Sequence, residues 1–349
     1  MNNNSFFSTE ILRWFRENGR DLPWRETRDP YAIWLSEIIL QQTRIAQGWE
    51  YWERFVQTYP KVEDLAAASE DDVLKLWQGL GYYSRARNLH TAAKQIVALG
   101  DFPNTLEGIK SLKGVGDYTA AAIGSFAFDI PAAVVDGNVY RVLSRYFGID
   151  TPINSTQGKK EFAALAQSLL PASDAASYNQ GMMDFGAIQC TPQSPKCLLC
   201  PLAETCEALR CGRVEELPVK NKTVKVKTRH LSYIYIRCKS SAADGIGKSE
   251  PMVAIHRRGE GDIWQGLWEP YNVSDVKELL SFVKNPILLA KDVKHVLTHR
   301  ILLADFYLLE TEKRPPLPDD YIWIKESEIE DYGVPRLIEI MLEKINPAE

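Results

Sequence analysis

The sequence predicts two domains in series: a mostly α-helical domain over residues 1–213 and a smaller α+β domain over residues 231–349, joined by a linker at 214–230. Its 349 residues exceed what one ordinary hydrophobic core holds. Apolar residues recur at three-to-four spacing up to about residue 212, whereas alternating β-branched and aromatic runs follow beyond residue 230. The composition, 45% apolar and 25% charged, is globular and excludes extended disorder, collagen and coiled coil.

Proline and glycine breakers divide the first 212 residues into short helices. One helix is predicted from Ala32 to Gln47, and no clear alternating strand occurs in this half of the chain. The apolar windows that predict helices are Ile33–Leu40, Val73–Trp77, Ala92–Leu99, Ala120–Phe128 and Phe162–Leu170.

After residue 213 the pattern changes to that of a small mixed domain. Residues 214–230 carry five Lys or Arg against two Glu, and we interpret them as a linker that runs into a strand. Helices are predicted at Ser274–Val283 and Pro335–Lys344. The predicted strands are Leu231–Arg237, Met252–His256, His295–Leu297, Ile301–Leu309 and Tyr321–Lys325.

The charge balance restricts how the chain could hold a polyanion. With 41 basic and 46 acidic residues the net charge is −5, so the basic excess typical of nucleic-acid-binding proteins is missing. A polyanion would have to be bound locally, by backbone donors or small patches. No apolar run is long enough to span a bilayer and the N-terminus shows no secretory signal, so we expect a cytoplasmic protein with no membrane partner.

Four of the six cysteines fall within 17 residues, in the pattern Cys190-x6-Cys197-x2-Cys200-x5-Cys206. Prolines between them prevent a regular helix, so the chain can wrap around a compact centre. Thiolates suit zinc or an iron–sulfur cluster. Zinc sites usually offer two closely spaced pairs of cysteines separated by a long insert. This sequence has one close pair flanked by single cysteines, which favours a [4Fe–4S] cluster with a structural role. Zinc and unligated thiols are the alternatives.

Two glycines flank one apolar residue in Gly114-Val115-Gly116, between a helix expected to end near Ser111 and another expected to begin near Asp117. Glycine lets the backbone turn tightly, and successive N–H groups then point outward at a helix N-terminus, which forms an anion site. This helix-hairpin-helix arrangement would let an acidic protein bind a DNA phosphate through dipoles. The alternative is a plain glycine-rich turn.

Glu37 lies inside the predicted helix Ala32–Gln47, which is largely apolar, and Gln41 follows one turn along the same face. A carboxylate in an apolar stretch is costly unless it has partners, so its pKa can rise to the range that suits a general acid. The alternative is a solvated Glu on a polar helix face.

Asp136 follows the apolar run at 132–135 and precedes another predicted helix. It fits an N-cap, which would fix the carboxylate in place and keep it ionised at a helix N-terminus. A carboxylic acid and a carboxylate together, here Glu37 and Asp136, are the groups needed to cleave a glycosidic bond.

The hairpin, Asp136 and the cysteine loop together resemble the helix-hairpin-helix/Gly-Pro-Asp DNA glycosylases that carry an iron–sulfur cluster. The likeness is dense over residues 5–210 and, within that superfamily, is to adenine DNA glycosylases of the MutY type. The segments that carry it are Pro23-Trp24-Arg25, Trp34–Thr43, Gly79–Leu89 and Asp136-Gly137-Asn138-Val139.

The resemblance implies excision of adenine mispaired with 8-oxoguanine, or with guanine, after the base is flipped out of double-stranded DNA. Glu37 would protonate adenine at N7 and Asp136 would stabilise the sugar cation, with Tyr118 and Asn138 assisting. The protein would act as a monomer associated with the nucleoid. Candidates for holding the flipped base are Arg25, Leu40 and Gln42. Tyr82 is the candidate for wedging the gap, and the alternative for it is a packed aromatic.

One position separates two activities. Bifunctional relatives such as endonuclease III carry a lysine nucleophile after the hairpin, where this sequence has Tyr118. Without an amine no Schiff base can form, so the resemblance implies a monofunctional glycosylase. A bifunctional enzyme for oxidised pyrimidines and a cluster-bearing DNA-binding or redox-signalling protein are the alternatives.

The C-terminal domain resembles the Nudix-like module that recognises 8-oxoguanine in this family, with Trp264–Glu269 as its signature segment. A Nudix hydrolase needs an R-E-x-x-E-E cluster to hold Mg²⁺, and Glu278 stands without those neighbours, so a nucleotide pyrophosphohydrolase is disfavoured. Contacts with the lesion are expected from Leu297, Thr298 and His299, where the family often has Phe-Ser-His.

Overall fold

The structure, a computed structural model, describes residues 3–221, 226–239, 250–273 and 286–346. Contacts divide the chain into two units, Met1–Ala66 with Thr91–Lys222 and Ala67–His90 with Thr223–Glu349. The first unit is helical and the second is built on a mixed sheet, which confirms the predicted fold class. Residues 67–90 group with the second unit, which the predicted linear division does not anticipate. Over the described residues, no helix has the length and apolar character needed to cross a membrane.

The helical part of the chain consists of short helices joined by tight turns. In chain order they are α1 (Asn3–Asn18), α2 (Pro30–Ile39), α3 (Ile45–Thr58), α4 (Val62–Ala67), α5 (Glu70–Leu76), α6 (Ser84–Leu99), α7 (Leu106–Lys110), α8 (Asp117–Phe128), α9 (Gly137–Phe147), α10 (Thr156–Leu169), α11 (Ala175–Asp184) and α12 (Glu207–Arg210).

Local capping chemistry sets where these helices begin and end. The Asp29 carboxylate accepts a hydrogen bond from the Tyr31 amide at 3.0 Å and starts α2. Ser155 starts α10 in the same way, accepting from the Gly158 amide at 2.9 Å. Gly148 ends α9 in the left-handed conformation, with φ of 67°, which glycine adopts without steric cost.

Helices α1, α9, α10 and α11 meet in one apolar core, in which Phe7, Ile11, Leu143 and Phe162 are fully buried. Burying each such side chain contributes roughly 1.5–3 kcal/mol. This core holds α9 and α11 in fixed positions. Asp136, the cap at the N-terminus of α9, lines the cavity of the candidate site, and Asp184, the last residue of α11, lies buried behind it and contacts Arg25, which lines the cavity.

The predicted helix from Ala32 to Gln47 is wrong in extent, because the chain breaks into α2 and α3. Leu40 caps α2, and Gln42 then adopts a left-handed conformation with φ of 57°, which a helix cannot contain. Gln41 therefore lies in a turn and not one turn along the face of α2. Its amide nitrogen donates to the Thr119 hydroxyl at 3.3 Å.

The described residues of the second unit form a mixed sheet and one further helix. The elements are β1 (Lys227–Cys238), β2 (Met252–Arg257), β3 (Trp268–Glu269), β4 (Tyr271–Val273), β5 (Ile287–Val296), β6 (Arg300–Thr311), β7 (Tyr321–Lys325) and the helix α13 (Arg336–Ile345). These seven strands have the order β3-β2-β1-β6-β5, in which β4 also pairs with β1 and β7 with β2. The long strands β1 and β6 run parallel, and the other pairs are antiparallel.

The predicted strand His295–Leu297 is wrong in extent, because β5 begins at Ile287 and Leu297 lies in the turn after it. Register shifts between Leu288 and Ala290 and between Ala290 and Val293 break the alternation of apolar and polar residues. A pattern with a period of two cannot detect such a strand. The predicted helix Ser274–Val283 and Glu278 lie outside the described residues.

One face of this sheet packs on α13, burying Tyr233, Phe306, Leu337 and Met341 completely. Residues 67–90 complete the unit through polar contacts. The Arg87 guanidinium donates to the Gln265 carbonyl at 2.6 Å, and Arg257 donates to the Glu70 carboxylate at 2.8 Å.

The segment predicted as a linker, 214–230, is partly integrated into both units. The Val219 carbonyl accepts from the Ile153 amide at 3.0 Å, and the Leu217 carbonyl accepts from Arg145 at 3.0 Å. Residues 227–230 already belong to β1.

Candidate active site

The first unit contains a cavity of about 830 Å³ between α2, the turn at 40–44 and the ends of α8, α9 and α11. Residues far apart in the sequence meet in its walls, because the helical core brings these elements together. The predicted site residues that line the cavity are Glu37, Asp136, Tyr118, Asn138, Arg25, Leu40 and Gln42.

Glu37 sits on a helix that has no solvated face, because every residue of α2 from Tyr31 to Ile39 is buried. The alternative of a solvated Glu on a polar helix face is therefore wrong. Burial, together with the charge of Asp136, raises the pKa of Glu37 from 4.5 to about 7, against a hydrogen bond from Tyr118 and the charge of Arg25. A carboxyl group in this state can donate a proton near neutral pH.

Tyr118, in the first turn of α8, hydrogen-bonds to the Glu37 carboxyl group. Burial raises the pKa of Tyr118 well above its ordinary value, and the charges of Glu37 and Asp136 raise it further. The phenol therefore stays protonated at neutral pH and acts as a donor to the acid.

Asp136 is the N-cap of α9, as the sequence predicts. Its Oδ1 accepts from the amides of Asn138 and Val139 at 2.8 and 2.7 Å, and its Oδ2 accepts from the Asn138 side chain at 2.7 Å. Burial raises the pKa of Asp136 above 3.8, although these hydrogen bonds oppose the rise, whereas the cap was expected only to favour ionisation. The three bonds fix the carboxylate against the cavity.

Sequence reasoning missed Arg141, which holds Asn138 in place. The Arg141 guanidinium donates to Asn138 Oδ1 at 2.8 Å and to the carbonyls of Gly186 and Cys190 at 2.6 and 2.8 Å. The spacing could have revealed it, because residues three apart on a helix are neighbours. Arg141 thereby connects the carboxylate cap with the first cysteine of the loop.

Arg25, which is predicted to hold the flipped base, forms hydrogen bonds with Asp184, a contact that the sequence did not suggest. Its two terminal nitrogens donate to the two oxygens of Asp184 at 2.9 and 2.8 Å. Arg20 contacts the same carboxylate through its backbone amide and its side chain, both at 2.8 Å. Both arginines still line the cavity.

Leu40 and Gln42 lie in the turn that follows α2, so they reach the cavity from irregular backbone. The Thr43 amide donates to the Leu40 carbonyl at 3.2 Å and closes this turn. Gln42 is exposed, and its left-handed conformation is uncommon outside glycine. Its amide side chain is available to a ligand.

The glycine hairpin lies where it was expected, between α7, which ends at Lys110, and α8, which begins at Asp117. Gly114 has φ of 80° and is exposed, as is Gly116 at the cap of α8. Val115 is buried and anchors the turn, so the exposed surface is the backbone of the two glycines. Such a surface suits a phosphate.

The four cysteines at 190, 197, 200 and 206 line one small pocket of the first unit, and none of them forms a disulfide. The Arg145 guanidinium enters this pocket, donating to Cys190 Sγ at 3.4 Å and to the Thr191 carbonyl at 2.7 Å. Iron–sulfur clusters are held by cysteine thiolates, so four thiols around one pocket, with a cationic donor beside them, are the donor set that such a cluster takes.

The predicted lesion-contacting residues lie in the turn between β5 and β6 of the second unit. Leu297 packs partly against the sheet core, while Thr298 and His299 are exposed. Tyr82, which belongs to the same unit, is 47% exposed, so the alternative of a packed aromatic is wrong. Its hydroxyl hydrogen-bonds to that of Thr298.

Comparison with known proteins identifies the parts of the chain. Residues 35–171 match the HhH-GPD superfamily base excision DNA repair proteins, and residues 190–206 match the iron–sulfur binding domain of endonuclease III. Residues 246–344 match the NUDIX domain. The iron–sulfur match covers all four loop cysteines and decides against zinc.

Relatives extend the likeness to the whole chain. The adenine DNA glycosylase of Buchnera aphidicola subsp. Acyrthosiphon pisum (strain APS) is 32% identical over 352 residues, 97% of each chain. That of Mus musculus is 42% identical over 226 residues, which is 61% of this chain and 44% of the mouse protein. A solved thermostable thymine-DNA glycosylase is 34% identical with a TM-score of 0.56, covering 60% of this chain and 97% of its own.

These matches confirm the predicted enzyme class, a DNA-binding glycosylase that acts on N-glycosyl bonds, and the predicted iron–sulfur cofactor of the endonuclease III type, [4Fe–4S]. The chain belongs to the adenine DNA glycosylases, within the HhH-GPD superfamily of base excision DNA repair proteins.

Proposed function

We propose that this enzyme removes adenine mispaired with 8-oxoguanine, and with guanine, by acid-catalysed hydrolysis that leaves the DNA strand uncut. The observation that carries the proposal is the pair of carboxyl groups in one cavity, Glu37 and Asp136, each held by hydrogen bonds. A flipped nucleotide entering this cavity would find a proton donor and an anion.

Glu37 supplies the proton. With its pKa raised to about 7 by burial, a large fraction of Glu37 is protonated at neutral pH. The proton passes to N7 of adenine, the C1′–N9 bond breaks, and the bonding electron pair leaves with the base. General acid catalysis of this kind typically contributes about 10²–10⁴-fold.

Asp136 stabilises the sugar cation that remains. Its carboxylate is fixed by Asn138 and Val139, so it needs no reorganisation when positive charge develops on the sugar. Water then adds to C1′, and the Glu37 carboxylate accepts a proton from that water. The products are free adenine and an abasic site, and Glu37 is protonated again.

Tyr118 supports the absence of strand cleavage. It occupies the position after the hairpin, and a phenol cannot form the Schiff base that a lysine forms with the sugar. Its hydrogen bond to Glu37 instead orients the acid. The uncut abasic strand is the expected product.

The remaining predicted residues have binding roles in this proposal. The backbone of Gly114, Val115 and Gly116 holds a DNA phosphate, and Leu40, Gln42 and Arg25 form walls around the flipped adenine. The exposed Thr298 and His299 contact 8-oxoguanine beside Leu297, with Tyr82 as the wedge. The cluster ligands are Cys190, Cys197, Cys200 and Cys206.

The direct test is to incubate the protein with an A:8-oxoguanine duplex and then treat the DNA with alkali. We expect cleavage of the adenine strand only after alkali, and strongly reduced cleavage with Glu37→Gln, whose retained iron–sulfur absorbance would show that it is folded. An uncut strand with the wild-type protein would refute the proposal, and strong borohydride trapping would favour the bifunctional alternative.

A further inference from the structure

Asp184, the last residue of α11, has no solvent exposure and is bonded to two arginines. Arg25 reaches both carboxylate oxygens, and Arg20 reaches them through its backbone amide, Nε and Nη2. Burial alone would raise the pKa of Asp184, but the hydrogen bonds from Arg25 and Arg20 hold it below the ordinary value. The carboxylate is therefore ionised at the pH at which the enzyme works.

Both arginines that Asp184 holds also line the cavity that contains Glu37. The groups that act electrostatically on Glu37 are Tyr118 from α8, Asp136 from the cap of α9 and Arg25 from the turn before α2. Arg20 and Arg44 line the same cavity. Of the groups that act on Glu37, Arg25 is the cation, and its charge opposes the rise in the pKa of Glu37 that burial causes.

We propose that Asp184 is a positioning residue for the excision reaction, which fixes Arg25 on the cavity wall and offsets its charge so that Glu37 keeps its proton. The inference rests on the acid role proposed for Glu37. Asp184 touches neither the base nor the sugar in this account, and it acts through Arg25.

The charge arithmetic gives the direction of the effect. Two guanidinium groups and one carboxylate leave one positive charge at this wall, and replacing Asp184 by the isosteric Asn leaves two. Positive charge favours the carboxylate form of Glu37, so the acid would lose its proton at lower pH. Removing Arg25 acts in the opposite direction.

The experiment is a single-turnover pH profile of adenine release from an A:8-oxoguanine duplex. For Asp184→Asn we expect the decline at high pH to begin about one pH unit lower than in the wild type, with rates close to wild type on the acid side. Asp174→Asn, at the other end of α11 and on the surface, is the matched control and should leave the profile unchanged.

Arg25→Gln keeps the inference testable should Asp184→Asn not fold. Its decline should begin at higher pH than in the wild type, whatever rate it loses through weaker base binding. The double variant Asp184→Asn/Arg25→Gln should return the midpoint toward that of the wild type, which a merely structural role for Asp184 would not produce.

The outcomes separate the two proposals. An equal loss of rate at every pH in Asp184→Asn, or an unmoved midpoint in Arg25→Gln, would overturn the positioning role while leaving the proposed function intact. A wild-type protein that releases no adenine at any pH would overturn the proposed function, and this inference with it.

Discussion

Two buried glutamates, one in each unit, have pKa values that are shifted in opposite directions. Glu37 is 7% exposed and Glu269 is 2% exposed, yet the pKa of Glu37 is raised to about 7 while that of Glu269 is lowered. Burial alone would raise both. In Glu269 the hydrogen bonds and charges of His256 and Arg258 outweigh burial, whereas in Glu37 the opposing groups do not.

The contacts explain the difference. Arg258 donates to Glu269 at 2.5 Å, Tyr233 at 3.0 Å, and His256 lies 3.1 Å away. Glu37 has the Tyr118 hydroxyl and an arginine whose terminal nitrogens are bonded to Asp184. A buried carboxylate whose oxygens are fully paired with cationic donors stays ionised and has a structural role. A buried carboxyl group with fewer such partners keeps a proton that it can donate in a reaction.

The variant Glu37→Gln tests whether adenine release needs the protonated carboxyl group of Glu37. Because Gln has nearly the same shape but no acidic proton, we expect adenine release to fall by about 10²–10⁴-fold with the fold retained. Single-turnover rates on the A:8-oxoguanine duplex measure it. A rate within a few-fold of wild type would show that Glu37 is not the acid.

Glu269→Gln should have the converse effect. It leaves the buried Arg258 without its charged partner, so we expect a loss of about 3–5 kcal/mol in the free energy of unfolding. The excision rate per folded molecule should change little. Denaturant titration measures the loss, with the exposed Glu312→Gln as the control, and a large change in excision rate with unchanged stability would contradict the assignment.

The proposed contact between Thr298 and 8-oxoguanine predicts a smaller effect. Thr298→Ala removes a hydroxyl that is exposed in the turn between β5 and β6, and such a hydrogen bond is worth about 0.5–1.5 kcal/mol. We therefore expect affinity for the 8-oxoguanine duplex to fall about two- to tenfold, with unchanged affinity for duplex that lacks the lesion. Equal weakening for both duplexes would argue against a contact with the oxidised base.

The pH dependence of stability should also differ between the two glutamates. Because the folded-state pKa of Glu37 lies above its ordinary 4.5, its protonated form stabilises the fold fully below that value, and this contribution is lost as the pH rises to about 7. Glu37→Gln should therefore melt a few degrees above wild type at pH 8 and close to it at pH 4.5.

The stability that Glu269 contributes depends on pH in the opposite direction. Its pKa is lowered, so its contribution is present above 4.5 and is lost as the pH falls through the lower folded-state value. Destabilisation by Glu269→Gln should thus be larger at pH 7 than at pH 3. Parallel melting curves for both variants across this range would contradict the contrast between the two glutamates.

Residue patterns predicted the parts of the site that depend on local chemistry. The cap at Asp136, the hairpin around Val115 and the cysteine spacing each lie within one short stretch of sequence, so the sequence alone indicated them. The same holds for the position of Glu37, although not for the complete burial of its helix.

The parts that escaped prediction depend on contacts between distant residues or on backbone irregularities. Asp184 meets Arg25 across 159 positions, so their contact depends on how the helices pack and not on local sequence. The end of α2 is set by the left-handed turn at Gln42, and β5 was hidden by its bulges. Neither feature leaves a periodic trace in the sequence.

The structure of Glu37→Gln bound to duplex DNA with adenine opposite 8-oxoguanine would show whether Glu37 and Asp136 both face the extruded nucleoside. We expect the extruded adenine in the cavity of the first unit, its N7 facing residue 37 and its C1′ beside the Asp136 carboxylate. An extruded nucleoside seated away from both side chains would contradict the account.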